Sequence, residues 1–193
     1  MLNIRKKVIW VTRTAVLTAL LVTVQFITAP LGNQFVTGAA VNLMLVISFL
    51  TCGFSTGLTV AIISPVCASL IGIGPAFPPL IPFIAVGNAV FILAWYLFSQ
   101  MNKSEDTGIR HRIASYLIAA ASAVIKSIAL YAGIVIFAIP YILNLNEKQS
   151  AMLTLSFSYP QLINAIIGGI IALAAVPPLK KALSSRIQYQ RPV

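Results

Sequence analysis

With 193 residues, 59% hydrophobic and only 8% charged, and a mean hydropathy of +0.96, the chain is too apolar for a soluble domain, where about 25% of residues carry charge. Its net charge of +10 would suit a nucleic-acid binder, but the basic residues flank apolar segments and do not gather on one soluble face. The composition predicts an all-α polytopic membrane protein, with residues 1–193 forming a single helical bundle.

Apolar stretches near the bilayer-spanning length of about 20 residues are marked off by proline, glycine and charge. The first predicted helix covers residues 8–29 and stops at Pro30-Leu31-Gly32-Asn33. Its basic flank (Arg5, Lys6, Lys7) could open a signal peptide, but the segment is long and has no clear small-residue cleavage site, so it reads as a retained helix. The second helix, 38–51, is short and ends at Cys52-Gly53, and the third, 54–73, contains Pro65, an expected kink. The fourth covers 79–99, the fifth 113–139, and the sixth 159–176 before Pro177-Pro178. Six transmembrane helices are therefore expected. Loop 30–37 suits either a lid or a plain connector, and 72–79 reads as a stiff turn at the same end.

Basic residues set the orientation. With the N-terminus inside, Arg5, Lys6, Lys7, Arg13, Lys103, Arg110, Arg112, Lys180, Lys181, Arg186 and Arg191 all fall on the inner side, leaving Lys148 outside and Lys126 in the membrane. Both termini are then cytoplasmic, in a cell membrane that reads as a bacterial plasma membrane. Trp10, Trp95 and Tyr96 are expected at the inner interface, where amphipathic rings are favoured.

Depth then sorts the polar side chains. Lys126 lies about 20 Å up the fifth helix at the helical rise. An ammonium at that depth costs about 2.5–3.5 kcal/mol on insertion scales, so it rarely sits there idle. No acidic residue occupies any apolar segment, since Glu105, Asp106 and Glu147 all fall in predicted loops. Its partners are therefore expected to be backbone carbonyls, water or a bound solute. Asn42, Asn88, Gln161 and Asn164 lie at outer-half to central depth on three other helices, with Gln161 and Asn164 on one face at i, i+3. With Asn33 and Gln34 at the rim and Tyr131 or Tyr159 as an aromatic wall, these residues describe an outward-facing polar pocket above an apolar floor. Amide hydrogen bonds between helices, at about 0.6 kcal/mol each, are the bland alternative for any one of them.

Other patterns point away from catalysis and metal binding. Gly53-Phe54-Ser55-Thr56-Gly57 matches the nucleophile-elbow pattern, but the lone His111 and the carboxylates lie in loops, and a tight helix–helix turn accounts for both glycines. No phosphate-binding G-x-x-x-x-G-K-[ST] run and no metal-ligand spacing occurs. Cys52 and Cys67 suggest no disulfide framework. No cofactor and no enzymatic activity are expected.

Ala15 and Ala19 form a small-x-x-x-small pair in the inner half of the first helix, which lets another helix approach closely. With Thr14–Ala19, Asn33–Asn42, Pro82–Asn88, Lys126–Tyr131 and Tyr159–Gly169, the chain resembles the substrate-binding S component of an energy-coupling factor (ECF) transporter. The resemblance implies capture of a water-soluble vitamin or cofactor precursor from outside. It implies docking through Ala15 and Ala19 on a transmembrane T subunit driven by two separate ATPase subunits, and toppling of the S component to release cargo. Pantothenate, a hydroxymethylpyrimidine or pyridoxine-like ring, and cobalamin all stay open as cargo. The alternative is a small secondary transporter acting alone or as a dimer.

Overall fold

The protein is described here by a computed structural model covering residues 2–102 and 108–189. Lys103, Glu105, Asp106 and Arg191 lie outside the described residues. Seven helices follow one another: α1 (Leu2–Thr28), α2 (Gln34–Cys52), α3 (Phe54–Leu70), α4 (Ile81–Met101), α5 (Ile109–Leu130), α6 (Glu147–Ser156) and α7 (Tyr159–Tyr189). Among the described residues there is no strand. Beyond α5 the helix widens to a π-type stretch over Tyr131–Ala138 and closes with Ile139–Tyr141. The fold is an all-α polytopic membrane bundle.

Among the described residues five segments are long and apolar enough to cross a bilayer: Ile4–Leu31, Gln34–Cys52, Pro78–Met101, Ile109–Tyr141 and Glu147–Ala182. The third helix is apolar but only 17 residues long, about 25 Å against a hydrocarbon core of about 30 Å. Successive helices pack side by side, so the start of α1, the α2–α3 turn, the end of α4, the start of α5 and the end of α7 share one end of the bundle. That end carries most of the basic residues and is called the basic end below.

The first helix begins at Leu2 instead of 8, the third ends at Leu70 instead of 73 and the fourth covers Ile81–Met101 instead of 79–99, and four further departures from the sequence reading follow. The second helix begins at Gln34 instead of 38, because Asn33 caps it: Oδ1 accepts from the Phe35 N–H at 2.9 Å and the Val36 N–H at 3.4 Å. Much of loop 30–37, which suited either a lid or a plain connector, is thereby helix. The fifth helix starts earlier, at Ile109. Helix α6 was not expected at all, because its ten residues lack an apolar run. Its start is a capping box in which Asn146 Oδ1 accepts from the Gln149 N–H while the Asn146 N–H donates back to Gln149 Oε1. Finally, α7 does not stop at Pro177-Pro178 but continues to Tyr189. Proline's fixed φ is compatible with a helix, and the following Leu179-Lys180-Lys181-Ala182 are good helix formers.

Close approach holds the centre. Gly168 on α7 presses on α2, where an added Cβ would come within 2.7 Å of the Ala39 carbonyl oxygen and the Leu43 nitrogen. The single residue Gly53, at φ +88°, reverses the chain between α2 and α3, a conformation that favours glycine. Gly57, the second glycine of the elbow-like run, lies against Phe49, and Ser55 is exposed. The main core gathers Leu45, Val46 and Phe49 of α2 with Phe91, Ile92 and Trp95 of α4, closed by Ala119, Ala123, Ala165 and Ala172. Trp95 is therefore a core residue, 1% exposed, between Phe49 and Phe91, and not an interfacial one. Tyr96 stacks on Phe54 with centroids 4.5 Å apart, and only Trp10 is well exposed.

Candidate functional site: a buried ammonium beneath an open cavity

Helix α5 delivers Lys126 to the bundle centre, where it is 2% exposed. Its Nζ donates to Asn42 Oδ1 of α2 at 2.6 Å and to Asn88 Oδ1 of α4 at 2.7 Å. It also lies 5.1 Å from the Phe91 ring centroid, within cation–π range. Two neutral amides and an aromatic face thus take the place of a carboxylate. A lysine nitrogen can only donate, so both amide oxygens must face it. Asn42 then turns its NH2 to the Gly38 carbonyl at 2.8 Å. The NH2 of Asn88 has no acceptor among the described residues and borders the cavity above.

That cavity measures about 430 Å³ and opens toward the end of the bundle opposite the basic one. Lys126, Asn42 and Asn88 form its floor, and Gln25, Ser64, Pro65 and Leu130 belong to its walls. Asn164, fully buried, donates to the Gln34 carbonyl at 3.3 Å and leaves its Oδ1 without a partner. A buried acceptor left open costs about 1–3 kcal/mol. Around one floor the cavity therefore offers a cation with N–H to spare and an amide NH2.

The rim is tied by one backbone atom. Gln34 Nε2 of α2 and Gln161 Nε2 of α7 both donate to the Ser156 carbonyl at the end of α6, at 2.7 Å and 3.2 Å. Opposite, Gln25 Nε2 of α1 reaches the Ile73 carbonyl at 3.4 Å. The side chain nearest to a lid is Phe157, just past α6, which also lines the cavity. Asn33 lines it too, but its Oδ1 is engaged as the α2 cap.

Seven of the residues expected at the site, Asn33, Gln34, Asn42, Asn88, Lys126, Gln161 and Asn164, thus share one hollow. Two do not. Tyr131 and Tyr159 are 41% and 57% exposed and stand away from the cavity wall. The cause is helical phase: Tyr131 follows Lys126 by five residues and Tyr159 precedes Asn164 by five, a rotation of about 140° in each case. The aromatic groups at the site are Phe91, which the sequence reading missed because a phenylalanine in an apolar segment looks like ordinary core, and Phe157, which lies in a stretch that was read as loop. Gln25 and Ser64 were missed as well. The expectation that Lys126 would find only carbonyls, water or solute is also corrected, since side-chain amides hold it.

Ala15 and Ala19 both lie exposed on the outward face of α1, while Thr14 and Thr18 beside them turn inward and are buried. No family model matches the chain, and no curated protein or solved structure does either.

Proposed function

We propose that the chain is the substrate-capture subunit of an ECF-type importer, taking a small water-soluble vitamin or cofactor precursor from outside. The supporting observation is Lys126 clamped by Asn42 and Asn88 under a cavity that opens away from the basic end. By the positive-inside rule that opening faces outward. A lone cation with no carboxylate at the cavity floor favours a solute with an anionic or electron-rich group. A carboxylate-bearing precursor such as pantothenate, or a hydroxymethylpyrimidine or pyridoxine-like ring, suits about 430 Å³, which is within the range of ordinary small-molecule sites. Cobalamin is much larger than such ligands, and the volume argues against it.

The exposed Ala15–Ala19 face supports docking of α1 on a T subunit, with ATP hydrolysis on two further chains. Mass spectrometry of small molecules released from the purified protein tests the capture step. A single anionic or heteroaromatic solute, lost in Lys126→Met, is expected, and a protein that carries and binds none defeats the reading. The docking step has its own test. Ala15→Leu with Ala19→Leu should abolish co-purification with a T subunit and leave solute retention unchanged. Accumulation of solute in cells without any ATPase partner would favour the secondary-transporter reading instead.

A further inference from the structure

A second and larger cavity, about 960 Å³, lies at the basic end between the ends of α2 and α4, the start of α5 and the stretch of α7 from Leu173 to Lys180. Its depth is apolar, formed by Leu50, Trp95, Ile118 and Leu173. Its rim carries Arg112 and Lys180, both exposed, beside half-buried His111 and Ser99. No acidic residue lines it. Glu147 stands at the opposite end of the bundle, and Glu105 and Asp106 lie outside the described residues.

Three further features converge on this cleft. Helix α5 begins here with no acidic residue in its first turn, so the positive end of its dipole adds to the two cations. Pro177 and Pro178 have no N–H, so the carbonyls of Leu173 and Ala174 lose the donors a continuous helix would supply, and both residues line the cleft. At the floor the indole N–H of Trp95 is buried without an acceptor, and at the rim the same holds for His111 Nδ1 as a hydrogen-bonding atom. Cationic rim, unmatched donors and acceptors, and a greasy depth describe a site for an amphiphile.

We infer that this cleft binds an anionic glycerophospholipid of the inner leaflet, its phosphate against Arg112 and Lys180 and an acyl chain over Leu50, Ile118 and Leu173. Basic pockets between transmembrane helices on the cytoplasmic side are suited to anionic headgroups. A free phosphate ester would leave the apolar depth empty, whereas a lipid fills both parts. This site is separate from the outward cavity and does not depend on what that cavity holds.

Fluorescence quenching by brominated lipids tests it. In the full chain carrying Trp10→Phe, Trp95 is the sole indole. Reconstituted with phosphatidylglycerol brominated on its acyl chains, it should be quenched at far lower lipid fraction than with the matching phosphatidylcholine. At about 1 kcal/mol per basic residue the preference is about 30-fold. It should disappear in Arg112→Gln with Lys180→Gln. Glycerol 3-phosphate added in millimolar excess should not relieve the quenching. Equal quenching by the two lipids in the Trp10→Phe protein alone overturns the inference, even if the double variant fails to fold. Relief by glycerol 3-phosphate would also overturn it, by assigning the site to soluble phosphate esters.

Discussion

The two ends of the bundle handle positive charge in opposite ways. Toward one end a single ammonium is buried, and its position is fixed by two amide oxygens and a phenyl face. At the other, Arg112 and Lys180 stand exposed around a roomier cleft, on long side chains with no fixed partner described. The first arrangement is preorganised and selects by geometry. The second is adaptable, and on the lipid proposal it would select by sign. A buried cation needs every hydrogen bond it can find, so its surroundings are specified residue by residue. Exposed cations are hydrated and tolerate much looser surroundings.

Helices α2, α4, α5 and α7 contribute to both halves, and the layer between them is the place to break the contrast. Phe91→Ala should have the largest effect. It removes a fully buried ring and the cation–π face together, and about 3–5 kcal/mol of stability should be lost in thermal unfolding in detergent. Next comes the clamp itself. Asn88→Leu and Lys126→Met should each cost about 2–3 kcal/mol, since hydrogen bonds to a charged group are the strong kind. The double variant should cost less than their sum by at least about 1 kcal/mol, because the two residues are in direct contact. Strict additivity in the unfolding series would show that the contact contributes nothing. Gly168→Val should destabilise by about 1–3 kcal/mol by pushing α7 off α2, and it should weaken solute retention and lipid quenching together. Smallest of all, Tyr131→Ala and Tyr159→Ala should stay within about 0.5 kcal/mol and leave solute retention unchanged, as exposed positions do. A loss of retention in either would return the aromatic wall to the tyrosines.

What the sequence made legible is mostly depth. Asn42, Asn88, Lys126 and Asn164 each stood out because a polar group within a membrane segment needs a reason, and helical rise alone places them near one level. What it left obscure is azimuth. Whether Tyr131 shares the face of Lys126 depends on five residues of phase, and a widened π-type stretch begins at that very residue. Helix α6 escaped notice because its short sequence lacks the apolar run that marks a span, although Asn146 and Gln149 carried a capping signal in plain view. The proline pair misled for a different reason. Proline reports which hydrogen bonds are missing, and a helix may survive their loss.

The stack of rings under Lys126 sets a limit on any journey through this molecule. Phe91 lies beneath the ammonium, Trp95 meets Phe91 edge-on with centroids 6.4 Å apart, and Phe49 closes the other flank at 6.5 Å. From Asn88 to Trp95 this plug is about 10 Å thick. A solute seated on the lysine would have these buried rings between it and the cleft at the basic end. With the rings in place it leaves by the mouth it entered, or the whole bundle carries that mouth to the far side.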